Sequence, residues 1–390
     1  MLRDAAPASS GRERARAGGL YLHVPFCARP CDYCHFPRTA RHDIELRRRT
    51  VRAIRRELAL RRERCPTLAG GRWRLATAYI GGGTPSLLEP DLFTELVAGT
   101  VGALPADPEL ELTAEANPES LTEACAAAWR ACGIVRVSIG VQSLSDDVLR
   151  RLGRSCAAET ARRGLERACR IFPRVAADWI LAPGVSSERL CAELAEAVAL
   201  GVEHISLYIL EVADGTPLAQ RIAAGRLRLP RDRFWEALYL AAVARLEALG
   251  LPQYEVANFA RSGCESRHNR AYWRRRPYLG LGPGAHGFWG RRRYANAAAV
   301  ADYLRRVERD ELPEAEIDRL DAAARRLERL ILPLRTRSGV PLDRIPRGAL
   351  DLDRGERTGL WRCVEGRLRL TPRGYLRLDG IESALARSLG

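Results

Sequence analysis

At 390 residues the chain exceeds one average domain and can bury a large core, so a main domain with an appendage is expected. The formal charge is +15, and all 63 basic residues are arginine, a side chain that pairs bidentately with carboxylates and phosphates. Eleven cysteines, an odd number with no leading apolar segment, argue against a disulfide framework and point to a soluble protein of the reducing cytoplasm; no apolar run reaches the roughly 18 residues of a membrane span.

Residues 1–19 form a Gly/Ala/Arg/Ser arm without apolar period, expected to be disordered. The stretch "LYLHV" then reads as a strand leading into a cysteine-bearing loop, and a basic helix is predicted over 43–64. "ATAYI" precedes a glycine turn and a helix near Pro90. "ELELTAE", "VRVSIGV", "AADWIL" and "HISLYIL" are further short apolar strands, separated by helical stretches at 119–131, 157–170 and 187–200. Six strands alternating with helices predict parallel βα units, hence an α/β fold. A partial (β/α)6 barrel is preferred to a flat doubly wound sheet, because no G-x-G-x-x-G turn follows the first strand. We assign this core to 20–230 and a barrel extension to 231–305, which holds a helix at 231–249 and a Tyr/Trp/Gly/Arg-rich section with little periodicity at 252–296. A helix at 315–331 and the hairpin-like "LWRCVEGRLRLTPRGYLRL" predict a small winged-helix-like α+β appendage over 306–390.

The cysteine loop, "YLHVPFCARPCDYCHF" at 21–36, spaces Cys27, Cys31 and Cys34 as C-x3-C-x2-C. Zinc would need His35 or His23 as a fourth ligand, but structural zinc sites usually draw ligand pairs from separate loops, and adjacent Cys34 and His35 strain to reach one ion. A polar, proline-flanked loop is also a poor place to bury incidental thiols. An iron–sulfur cluster is the leading reading: three thiolates on a four-iron cubane leave one iron with an open position, where chemistry occurs.

These residues resemble the radical S-adenosylmethionine superfamily, in which C-x3-C-x2-C ends the first barrel strand. The resemblance implies a [4Fe-4S] cluster whose fourth iron chelates S-adenosylmethionine and whose electron cleaves the sulfonium bond to give a 5′-deoxyadenosyl radical. "GGGTPS" at 81–86 is similar to the glycine turn after strand two, where bare backbone can approach the methionine amino group. Nearly the whole chain resembles the subgroup of oxygen-independent coproporphyrinogen oxidases and HemW-type heme chaperones, with "AEANPE", "SIGVQS", "YEVANFARSG", "ESRHNRAYW" and "YLGLGPGAHG" in the expected order. By position this implies that Tyr21, Tyr33, Gly82, Gly83, Thr84, Glu115, Gln142, Arg154, Asp178 and Ile209 contact S-adenosylmethionine.

The oxidases extend the cysteine motif with another cysteine two residues on, whereas the chaperone branch has C-x-F, met here by Cys34-His35-Phe36. That branch also carries H-N-x-x-Y-W, met by His268 to Trp273. The resemblance therefore implies a heme chaperone without coproporphyrinogen oxidase activity. His268 would ligate heme iron, with His286 as second candidate, and Arg267, Arg274 and Arg275 would pair with propionates. Heme, an acceptor protein and an electron donor are the implied partners. Oxidation of coproporphyrinogen III is the alternative. Radical modification of nucleic acid is a third class, disfavoured because the tail lacks a basic recognition helix. Two departures stand out: Leu152-Gly153-Arg154-Ser155-Cys156 replaces L-G-R-x-H, and "DWILAPG" after Asp178 is one residue short of the usual pattern. His42, in a stretch read as solvent-facing, is given no role.

Overall fold

The computed structural model describes residues 16–65, 68 and 73–389. Most of the predicted N-terminal arm lies outside them, but residues 16–19 already pair as strand. β1 (Arg16–Val24), β2 (Trp73–Gly82), β3 (Ala106–Ala116), β4 (Arg136–Gln142), β5 (Arg174–Leu181) and β6 (His204–Ile209) run parallel, each beside the next. These are the six strands the sequence predicts. β6 is flanked by antiparallel β7 (Asn258–Ala260), and β1 is flanked on its other side by parallel β8 (Tyr278–Leu281). Since β1 and β6 each have another neighbour, the barrel stays open. β9 (His286–Trp289), β10 (Arg292–Asn296) and β11 (Glu314–Arg319) continue beyond β8, so that eleven strands form one sheet among the described residues.

Strand alternation sorts the side chains into two shells. Leu20, Leu22 and Val24 of β1, and Val137, Ile139 and Val141 of β4, are buried in the main core. The intervening positions are polar and bring one another into register around the lumen: Tyr21 lies opposite Tyr79, Tyr79 opposite Thr113, and Glu115 opposite Ser138. Gly140 lies opposite Asp178, and Asp178 opposite Ser206. Helix Ile44–Arg64 packs over this sheet through Val51, Ile54 and Leu58; Asp43 caps it, accepting from the Leu46 amide at 2.8 Å.

Residues 314–319 are strand, not the start of the predicted helix, which begins only at Ala322 and runs to Leu334. Its alternation of charges is that of an exposed edge strand, where charge blocks further pairing. The preceding helix Val300–Glu308 also belongs to the main body, through Tyr303, Leu304 and Val307. The appendage thus begins near 322, later than the predicted 306. It has its own core, including Leu334, Val340, Trp361, Leu368 and Leu385, and its own sheet of β12 (Val340–Pro341), β13 (Trp361–Val364) and β14 (Arg367–Leu370), with β14 central. The β13–β14 turn, Glu365-Gly366, has φ of 53° and 70°, as a tight hairpin requires. No helix among the described residues is long and apolar enough to cross a membrane.

Candidate cofactor site

The loop after β1 is held by backbone bonds before any ligand is considered. Cys27 donates its amide to the Thr39 carbonyl at 3.0 Å, Thr39 donates to Pro25 at 2.7 Å, and the Cys34 amide reaches the Cys31 carbonyl at 3.2 Å. Asp32 ties the loop to its surroundings: its amide donates to Leu152, its carbonyl accepts from the Leu218 amide at 2.9 Å, and its carboxylate accepts from Arg221 at 3.0 Å. His42 is half-buried, with Nε2 3.2 Å from the Cys27 carbonyl oxygen and its ring beside Phe26; it braces this loop, contrary to the solvent-facing reading.

Cys27, Cys31 and Cys34 face a cavity of about 350 Å³ at the carboxyl ends of the strands. Tyr33, Gly82, Gly83, Thr84, Glu115, Gln142, Arg154, Asp178 and Ile209 line the same cavity. Tyr21 does not; it lies one layer deeper, bonded to His23 Nδ1 at 3.0 Å and stacked on Tyr79. Asn117, Ser138 and Tyr208 also line the cavity and were not singled out from sequence, although Asn117 lies within "AEANPE". Asn117 is a junction: its Nδ2 donates to Thr84 at 3.2 Å, while its Oδ1 accepts from Arg154 at 3.2 Å. Arg154 also donates to the Gly140 carbonyl at 2.7 Å and approaches Cys31 Sγ at 3.6 Å, while its Nε is buried without a partner among the described residues. Gln142 ends β4 after a register shift, with φ of 68°, a left-handed conformation that costs a non-glycine residue energy and recurs at functional sites.

The two departures have local consequences. Cys156 is buried away from the cavity, and burial pushes its thiol up to about 12. In the shortened stretch β5 runs through to Leu181, with Asp178 and Ile180 on the cavity wall.

The glycine turn, besides lining the cavity, packs against the cysteine loop. A Cβ on Gly83 would lie 2.6 Å from the Phe26 carbonyl oxygen and 2.9 Å from the Pro25 carbonyl carbon, and one on Gly82, whose φ is 114°, would lie 2.6 Å from the His23 ring. The bare backbone here lets the turn approach the cysteine loop itself.

Charge in the lumen is poorly compensated. Burial pushes the Glu115 carboxyl up to about 7, against the hydrogen bond from Tyr79, and burial likewise raises Asp178 to about 6, against hydrogen bonds from Ser206 and Ser138. Glu115 accepts from Tyr79 at 2.7 Å and from the Gly82 amide at 3.1 Å.

His268 stands on the opposite, amino-terminal side of the barrel, in helix Arg267–Trp273. Glu111 of β3 accepts from the backbone amides of Arg267 at 2.8 Å and His268 at 3.2 Å, seating the helix against the floor. His268 is 2% exposed. Its Nδ1 lies 2.8 Å from Thr77 Oγ1, its Nε2 2.8 Å from the Tyr272 hydroxyl, and its ring stacks on Tyr79. Burial lowers its pKa to about 3, so it is neutral at physiological pH. His286, by contrast, is exposed. Of the arginines paired with propionates on sequence, Arg275 is engaged by Glu328 at 2.6 Å and Arg267 by the Glu109 carbonyl.

The sequence model of the Radical SAM superfamily matches residues 21–197. Heme chaperone HemW of Mycobacterium tuberculosis (strain H37Rv) is 37% identical over 381 residues, covering 94% of each chain. The chain belongs to the radical SAM superfamily, in its HemW family. HemW of Bacillus subtilis is 32% identical, over 82% of this chain and 84% of its own. The solved coproporphyrinogen III oxidase HemN of Escherichia coli shares the fold, with a TM-score of 0.80 over 96% of this chain and 91% of its own, at 19% identity. Radical SAM membership implies a [4Fe-4S] cluster and S-adenosylmethionine, and the chain's own groups fit both. All three thiols are free and face one cavity from a single loop, an arrangement that suits a cluster whose thiolates bind separate irons. Two carboxylates without full compensation beside the thiols suit a sulfonium cation.

Proposed function

We propose that the protein holds a [4Fe-4S] cluster on Cys27, Cys31 and Cys34 and S-adenosylmethionine in the adjoining cavity, binds heme as cargo at the barrel floor, and passes it to an acceptor protein without oxidising coproporphyrinogen. The observation that carries the reading is Phe36. It stands at the cavity mouth with 57% of its surface exposed, at the position where the oxidases place a further cysteine. A cytoplasmic electron donor completes the proposal, since the reduced cluster supplies the electron that cleaves S-adenosylmethionine.

The cavity residues have separable roles. Asn117 orients Thr84 and Arg154 together; Arg154 offers a fixed guanidinium to a carboxylate; Glu115 and Asp178 offer acceptors and negative charge to the sulfonium. Because both carboxyls titrate above their ordinary range, they are largely protonated at pH 5. Their ionised forms favour a cation, so affinity for S-adenosylmethionine should strengthen as pH rises from 5 to about 7, with protons released on binding below that point. Conversely, in the empty protein their ionisation opposes burial: stability they contribute at pH 4 is lost as pH rises through 6 to 7. Calorimetric titration across this range checks the sign, and Glu115→Gln should flatten most of the dependence.

Ligation of heme through His268 requires its Nε2 to exchange the Tyr272 hydroxyl for iron. The neutral imidazole that burial enforces is the form that ligates a metal. The test is one anaerobically reconstituted sample given heme and, separately, coproporphyrinogen III. Stoichiometric heme binding without protoporphyrinogen IX formation is expected; steady turnover would establish the oxidase reading instead.

A further inference from the structure

The helix that buries His268 in the lumen presents another face to a second cavity. Residues four apart share a helix face, whereas His268 stands about 200° around the axis from Arg270. Arg270, Trp273 and Arg274 accordingly line a cleft of about 350 Å³ whose lining does not include the imidazole. Its far wall comes from the C-terminal unit: helix Ala322–Leu334 supplies Arg329 and Pro333, and the segment after β12 supplies Arg344.

Seven arginines and two glutamates line this space, and the glutamates are already engaged. Glu328 accepts from Arg275 at 2.6 Å and pairs with Arg293 at 2.5 Å, while Glu265 pairs with Arg337 at 3.0 Å. Arg367 donates to the Ser338 carbonyl at 2.6 Å and the Gly339 carbonyl at 2.8 Å. These contacts brace the walls. Among the described residues, the side chains of Arg270, Arg274, Arg329 and Arg344 meet no carboxylate within 4.0 Å and donate no hydrogen bond. In helix Ile44–Arg64, by contrast, Arg47, Arg49, Arg52, Arg55, Arg56 and Arg61 each find a carboxylate, as arginines on a surface rich in both charges do. Burial, followed by the neighbouring Arg270 and Arg276 cations, holds the Arg274 guanidinium below its usual range. Cations gathered around a concave surface focus a positive field that a bound anion relieves.

We propose that this cleft binds a diphosphate group, inorganic or carried by a nucleotide, between Arg270 and Arg274 of the barrel floor and Arg329 and Arg344 of the C-terminal unit. A carboxylate is satisfied by one or two guanidinium forks, whereas a diphosphate offers two tetrahedral centres whose oxygens point to both walls at once. The volume lies at the lower end of the roughly 300–1,000 Å³ of small-molecule sites, which fits a compact ligand and not a folded partner. The Trp273 indole, fixed by its Nε1 at 3.0 Å from Glu255, and Pro333 add apolar surface on which the rest of a nucleotide can lie. The site does not depend on the heme reading.

The test is calorimetric titration of the full-length protein with inorganic pyrophosphate and with ADP, at fixed ionic strength. One saturable site per chain is expected, with an affinity about tenfold or more above that for orthophosphate, because only the diphosphate spans both walls. Arg329→Gln/Arg344→Gln should weaken binding by about tenfold or more. Arg226→Gln/Arg228→Gln, which removes the same charge outside the cleft's lining, should leave it unchanged. All four residues are exposed, so the fold should tolerate both changes, with circular dichroism as the check. Tighter binding of ADP than of pyrophosphate would identify a nucleotide, and equal binding the bare diphosphate; either upholds the site. Absence of binding, equal weakening by the two double variants, or undiminished affinity in Arg329→Gln/Arg344→Gln would overturn it. So would an oligoglutamate peptide that bound wild type more tightly than pyrophosphate, which would make the cleft a docking surface for acidic protein segments.

Discussion

Cys31→Ala is expected to abolish the visible absorption of the reconstituted cluster. The three thiols are free, sit on one loop and have no nearby fourth cysteine to substitute, so removing one leaves an iron without a protein ligand. Cys31 is additionally approached by Arg154 at 3.6 Å, a contact suited to a thiolate that must carry charge in a confined space. The fold should survive, because the Cys31 carbonyl that anchors the Cys34 amide is unaffected and the side chain lies on a half-exposed loop. Cys65→Ala, at the carboxyl end of helix Ile44–Arg64, should leave the spectrum unchanged. A cluster retained by the Cys31→Ala protein with wild-type iron content would refute the assignment.

Gly83→Val should cost both the cluster and S-adenosylmethionine binding. The atoms a Cβ would strike are backbone atoms of Pro25 and Phe26, immediately before Cys27. They cannot swing aside, because the Gly83 amide is bonded to the Val24 carbonyl at 2.8 Å and the Pro25 carbonyl accepts from Thr39 at 2.7 Å. Overlap of this kind with backbone forces the segment to move, and the segment that moves carries the first thiol. Iron analysis after reconstitution, with circular dichroism as a check on the fold, reads the effect. Full iron content with S-adenosylmethionine binding alone lost would mean that the turn serves the ligand and not the loop.

Much of this arrangement is legible in sequence because it depends on short periodicities. The parallel strands set apolar residues against lumen-facing ones, and the polar Glu115, Ser138, Asp178 and Ser206 fall together when adjacent strands come into register. The cysteine spacing places three thiols on one loop without reference to anything distant. What escaped the sequence is set by partners far along the chain. Residues 314–319 mix acids and bases in a way that suits an exposed helix, and only pairing with β10 makes them an edge strand. Tyr79 looks like an ordinary strand residue until Glu115 and His268 are found on either side of it. Nothing local in the sequence signals the burial of His268, which Glu111, Thr77 and Tyr272 fold into the barrel floor. Arg329 and Arg344 carry no local signal at all; only the packing of helix Ala322–Leu334 and the segment after β12 beside helix Arg267–Trp273 brings them around one cavity.

The central claim, that heme is bound as cargo through His268, is tested most directly by titrating heme into wild-type, His268→Ala and His286→Ala proteins and following the Soret band. Wild type and His286→Ala should saturate at one heme per chain, with the same band position. His268→Ala should show a shifted band and an affinity lower by about tenfold or more, the expected loss of an axial ligand worth at least one decade in binding. A His268→Ala protein that bound heme with wild-type affinity and an unshifted Soret band would contradict the claim.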